Sequence, residues 1–128
     1  MSIERNYLVT LTFLIMHQID AAYWHEWDMF FLPGGIQGFL LFNIVVFPIV
    51  LYGYRQVVLN SVNAKYYSYL CGGLGILTFF IHASFALYGA EEFSLPFSVI
   101  VIVNCLIFGL LQIKITIRAK AEGNCLSS

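Results

Sequence analysis

The chain has 128 residues, of which 60% are hydrophobic and only 10% charged, and its mean hydropathy is +0.83. A soluble domain of this size needs a far larger polar share to cover its surface, so the composition points to a membrane. With six Lys and Arg against seven Asp and Glu, widely scattered, nucleic acid is excluded as a partner.

Four long apolar runs follow one another, at about 7–27, 36–59, 66–88 and 95–117. Each has roughly 21 to 24 residues, enough to cross a hydrocarbon core of about 30 Å as a helix. None alternates apolar with polar, and all are too long for barrel strands. The expectation is an all-α protein, a single domain over 1–128 built as a four-transmembrane-helix up-down bundle.

The first run follows Arg5 and has an apolar core that would suit a signal peptide. Asp20, the bulky Tyr23 and Trp24, and the lack of a small-x-small cleavage pattern favour a retained helix. Its end reads HQIDAAYWHEWD, His17 to Asp28. At 100° per residue, His17, Asp20, Ala21, Trp24 and Asp28 share one face, and Glu26 lies on the opposite side from His17. Ionisable groups in a membrane are costly and normally face the bundle interior or a wet cavity. His17 is therefore read as a metal ligand or proton carrier, with Asp20 as its partner three residues on. The competing reading is glue, with Asp20 holding the imidazole or a neighbouring Asn in an interhelical hydrogen bond. His25 lies about 80° round the helix from His17 and could join only if the helix end unwinds. With Glu26 and Asp28 it reads as a polar rim. The HEW triplet lacks the second histidine of a HExxH zinc peptidase.

Pro33-Gly34-Gly35 makes a tight turn into the second run and has none of the GK[ST] signature of a phosphate loop. Inside that run, Asn43 is expected to hydrogen-bond between helices, and Pro48 to kink the helix and free a carbonyl. The third run carries the stripe Ser68, Gly72, Gly75, Phe79, His82 and Ala86, whose small residues admit either a neighbouring helix or a flat cofactor. A haem held between His17 and His82 is the sharper version. A divalent transition metal on His17, Asp20 and His82 is the other. The fourth run holds Asn104, which with Asn43 and Trp24 completes the expected ligand-binding set. Cys71, Cys105 and Cys125 form no CxxC pair, and Cys71 and Cys105 read as packing residues. The ending CLSS departs from a prenylation box by the Ser at its third position.

Two halves of the chain repeat. His17-x3-Ala21-x-Tyr23-x2-Glu26 matches His82-x3-Ala86-x-Tyr88-x2-Glu91, and each is followed by Leu-Pro and then by an Asn inside the next run. Two duplicated helical hairpins would be related by an axis along the membrane normal, with His17 and His82 facing each other across it. Depth agrees: by helix rise, His17, Asp20, Asn43, His82 and Asn104 all fall roughly 10 to 15 Å from the same membrane face. The other half of the second and third runs offers little that is polar beyond Ser68, which argues against an oligomeric channel. All six basic residues (Arg5, Arg55, Lys65, Lys114, Arg118 and Lys120) sit at alternate helix ends, opposite Glu26, Asp28, Glu91 and Glu92. The positive-inside rule then puts both termini in the cytoplasm.

His17-Gln18-Ile19-Asp20, followed by an aromatic helix end and a Pro-Gly-Gly turn, resembles small bacterial integral-membrane families of unknown function. One of these is named for a His-x-x-Glu-Glu motif in its first helix; here Asp20 and Ala21 stand where the two glutamates would be. The resemblance covers about the first third of the chain. It implies a four-helix protein of the bacterial inner membrane with an intramembrane His/acid pair, and it implies no activity.

The expected function is binding of a metal ion, haem or small polar ligand in the layer around His17, Asp20 and His82. The alternative is a non-catalytic accessory, regulatory or immunity subunit of a membrane complex, whose polar layer is structural. Catalytic residues are not assigned. The expected partners are the bilayer itself and either further copies of the chain or a larger membrane protein.

Overall fold

A computed structural model describes residues 1–123; Cys125 and the CLSS ending lie outside the described residues. The described chain is helical, with α1 at Ile3–Tyr23, α2 at Glu26–Met29, α3 at Gly35–Val58, α4 at Ala64–Leu87 and α5 at Pro96–Ala121. The boundaries have local causes. Ser2 caps α1 by accepting from the Arg5 amide through its hydroxyl, satisfying one of the donors a helix start leaves open. Gly34 and Gly35 both take positive φ, 89° and 54°, which turns the chain into α3. Pro96 starts α5, where its missing N–H costs nothing.

Three helices, α3, α4 and α5, are long and apolar enough to cross a membrane. The expected fourth, α1, is long enough at 21 residues but does not qualify, and it ends at Tyr23 rather than near residue 27. Glu4, Arg5, Asn6, Thr10, Thr12, His17, Gln18 and Asp20 dilute its apolar residues.

Packing explains why α1 is the polar helix. It touches α3, α4 and α5, whereas α3 and α5 do not touch each other among the described residues. The section is thus a rhombus, with α1 and α4 across its short diagonal. Polar side chains point into it: Asn6, Thr10, Ser68, Gln112 and Thr116 are fully buried, while Leu41, Ile44, Phe80 and Phe97 stand more than half exposed. Apolar outside and polar inside inverts the soluble pattern and suits a bilayer.

Against α5, α4 uses its small residues for contact between helices. A Cβ on Gly75 would meet the Cys105 carbonyl oxygen at 2.5 Å, and one on Gly109 would meet that of Gly72 at 2.7 Å. The Gly stripe of the third run therefore admits a helix, the usual role of small residues in membrane packing. Cys71 and Cys105 are free thiols fully buried in the core.

Where α1 begins and α5 finishes, called here the near end, a closed polar network ties three helices. Gln112 donates to the Ser68 hydroxyl (2.7 Å), Ser68 to Thr116 (2.6 Å), and Thr116 back to the Gln112 carbonyl (2.7 Å). Asn6 donates to the Gln112 side-chain oxygen and to the Phe108 carbonyl, which also accepts from Thr10.

Candidate metal centre

At the opposite, far end, α1 stops at Tyr23 and the Trp24 amide caps the Asp20 carbonyl. His25 then adopts a left-handed conformation, φ 52° and ψ 52°, and the chain restarts as the single turn of α2. This break folds Glu26 back over the end of α1. The helical wheel put Glu26 opposite His17, but that holds only for a helix continuing past Tyr23.

His17, Glu26 and His82 consequently meet. Each offers one ligand atom, these atoms lie within 4.8 Å of one another, and all three residues are buried. Glu26 Oε1 is 3.3 Å from His82 Nε2 and 3.7 Å from His17 Nε2. The imidazoles touch edge to face, with centroids 4.6 Å apart, and Phe93 covers both from the α4–α5 connection. Burial alone would raise the Glu26 carboxyl pKa; when the imidazole nitrogens facing it carry a proton, their hydrogen bonds and charge outweigh that and hold it well below the usual carboxylate range.

The tautomer of His82 decides what the cluster can do. Its Nδ1 lies 2.7 Å from the Thr78 carbonyl oxygen, which can only accept, so Nδ1 carries the proton. In the neutral ring, Nε2 is then a bare lone pair aimed at a carboxylate oxygen, and it has no hydrogen-bond partner. Two lone pairs facing each other in a buried site require a cation between them, either a proton on Nε2 or a metal. An imidazole whose far nitrogen is held by a backbone carbonyl is the usual second shell of a metal-ligating histidine. In a tetrahedral site with bonds of about 2.0–2.2 Å, ligand atoms sit roughly 3.3–3.6 Å apart. Both Glu26 separations already match that to within a few tenths of an ångström, and the two imidazole nitrogens, within 4.8 Å, would have to draw together around the ion.

A porphyrin does not fit the same place. With the two rings in edge contact and Phe93 against both, there is no slot for a plate between them.

The other expected residues lie around the cluster without joining it. Asp20 is half-buried and stands outside the group, one of its carboxylate oxygens buried without a hydrogen bond. Trp24 packs against Phe93 at 6.2 Å, its indole nitrogen unpartnered. Asn43 donates back to the Phe39 carbonyl of its own helix, and Asn104 to that of Ile100, rather than to each other or to the histidines. His25 is exposed and stacks on Trp27 at 4.9 Å.

No curated protein and no solved structure matches this chain. A family model described as "Family of unknown function (DUF6713)" matches residues 3–119, nearly the whole of it, and the protein belongs to that family.

Proposed function

We propose that the protein is an integral membrane metal-binding protein that holds one divalent transition metal, zinc foremost, on His17, Glu26 and His82. The observation that carries the reading is the His82 tautomer, with Nδ1 committed to Thr78 and Nε2 left as a buried lone pair facing Glu26. Two imidazoles and one carboxylate suit zinc and its neighbours, and three protein ligands leave a fourth position open. Asp20 stays outside this ligand set.

In this reading α1 crosses the bilayer with α3, α4 and α5 as an up-down four-helix bundle, its polar face hidden by the other three. The two hairpins descend from a duplication, which explains why His17 and His82 meet. Both termini lie in the cytoplasm, and the site opens toward the outer leaflet of a bacterial inner membrane, as the basic residues indicate.

The test is metal content of detergent-purified protein, stripped with a chelator and reloaded with zinc or with cobalt as an optical probe. One equivalent of metal, a visible cobalt band of tetrahedral strength and a metal-dependent rise in melting temperature are expected. All three should vanish in His82→Ala. A protein that holds no metal, and in which His82→Ala only lowers stability, carries an imidazolium–carboxylate pair as glue, and the accessory-subunit reading replaces this one.

A further inference from the structure

Below the three ligand atoms lies a cavity of about 300 Å³ between α1, α3 and α4. Along α3 its wall runs from Phe39 to Val50, about 16 Å by helix rise, and is apolar throughout. On α1 and α4 the lining changes from leucine near the middle of the membrane to His17, Gln18 and His82 at the far end, where Glu26 closes the top. Polar groups thus gather at one end of a long apolar slot. Two of its walls, Phe42 and Leu77, are 48% and 54% exposed on the outer, apolar surface of the helices. The slot therefore opens sideways, toward lipid.

We propose that this cavity takes the chain of a long-chain fatty acid, whose carboxylate fills the open fourth position of the metal. The proposal rests on the metal reading above and names the ligand of that same site. Charge selects the head group. A divalent cation on two neutral imidazoles and one carboxylate retains one positive charge, and Glu26 is the one acidic residue lining the cavity. An uncompensated charge against apolar walls is costly, and a monoanion removes it. Shape selects the tail: a slender chain fits a slot of this length, and a cavity of this volume stands at the small end of ligand pockets, roughly 300–1,000 Å³. A small anion would neutralise the metal but leave the slot empty.

The experiment uses the full chain in phosphatidylcholine nanodiscs, loaded with zinc or cobalt, titrated with labelled palmitate, and run beside acetate and hexadecanol. Saturable binding of palmitate at one equivalent is expected, with a shift of the cobalt band that the same concentration of acetate does not produce. Removing the metal should weaken palmitate at least about tenfold, the loss of one charge-assisted contact. Val46→Phe and, separately, Leu77→Trp narrow the slot without touching a ligand. Each should keep one equivalent of zinc and weaken palmitate by a similar factor. Loaded protein that ignores palmitate, takes acetate or hexadecanol as well, or binds palmitate equally when both variants retain zinc would overturn the proposal. A wild-type protein that retains no zinc overturns the metal reading first, and the metal analysis makes that failure visible separately.

Discussion

The two polar groups inside this protein differ in how their hydrogen bonds close. At the near end, Gln112, Ser68 and Thr116 pass hydrogen bonds round a ring, and Asn6 and Thr10 attach to it. Within that network the atom left over is Asn6 Oδ1, and Ser61 Oγ in the α3–α4 turn is also buried without a hydrogen bond. At the far end, His17 Nδ1, Gln18 Oε1, Asp20 Oδ2, Trp24 Nε1, Asn43 Oδ1 and His82 Nε2 are all buried and unpartnered. Buried polar atoms in native proteins are nearly always satisfied. A closed ring is what glue between membrane helices looks like. In the metal reading proposed above, the imidazole nitrogens beside the carboxylate are the atoms that a cation would engage. Both groups are buried, the near-end one linking α1 and α4 through α5 and the far-end one bringing α1 and α4 together directly; satisfaction, not burial, separates them.

The largest effect that could break this comparison is at Glu26. Glu26→Gln keeps the shape but removes the anionic ligand, and the metal should weaken by at least about 100-fold, since loss of a mere outer-shell partner already costs 10–100-fold. Metal-free, the variant should be less stable than the stripped wild type at neutral pH, because a carboxyl held below its usual range is one whose ionised form the fold favours, and the neutral amide gives that up. Equilibrium dialysis with zinc and thermal unfolding of the stripped protein measure the two halves. A Glu26→Gln variant that binds zinc like wild type would make the far end glue as well.

How much of this was legible in the sequence follows from how local each feature is. The three apolar spans, the small-residue stripe on α4 and the common depth of His17 and His82 come from composition and helical period, which act over a few turns. The duplicated spacing even paired each histidine with an acid nine residues on, Glu26 and Glu91. The wheel nonetheless sent Glu26 to the wrong side, because no Gly or Pro between His17 and Phe31 marks the break at Tyr23. The break depends on His25 taking positive φ, which a non-glycine residue does only where tertiary contacts make up the strain. The two segments that share this spacing also part there. Glu26 turns in over the histidines, while Glu91 lines a separate surface pocket with Tyr23, Trp24 and His25. The near-end network was equally hidden. Asn6 and Gln112 lie 106 residues apart, near span ends where polar residues ordinarily meet water. Only the pairing of α1 with α5 puts them in the core.

A middle-sized effect tests the other side of the comparison. Gln112→Leu takes the centre out of the near-end ring, leaving the Asn6 amide and the Ser68 hydroxyl short of a partner in a fully buried place. A loss of about 1–2 kcal/mol in stability is expected, above the roughly 0.6 kcal/mol average for interhelical hydrogen bonds because several partners are orphaned together. Zinc content should not change. Unfolding in detergent mixtures measures the first, and metal analysis of the same sample the second. Loss of zinc in Gln112→Leu would mean that the two ends are coupled through the tilt of α1.

The smallest effect falls on the residue that the helical wheel favoured. Asp20 shares a face of α1 with His17, yet the ligand group forms without it, and its contribution to the fold visible here is a backbone carbonyl that caps Trp24. Asp20→Asn preserves that carbonyl and the side-chain volume while removing a charge. If Glu26 is the anionic ligand, the change should alter zinc affinity by less than about twofold and stability by less than about 0.5 kcal/mol, the range for substitutions away from special features. The same zinc titration used for Glu26→Gln reads it. A tenfold or larger loss would bring Asp20 into the ligand set. The metal would then carry two carboxylates and no residual charge, and the electrostatic reason for an anionic head group in the slot below would disappear with it.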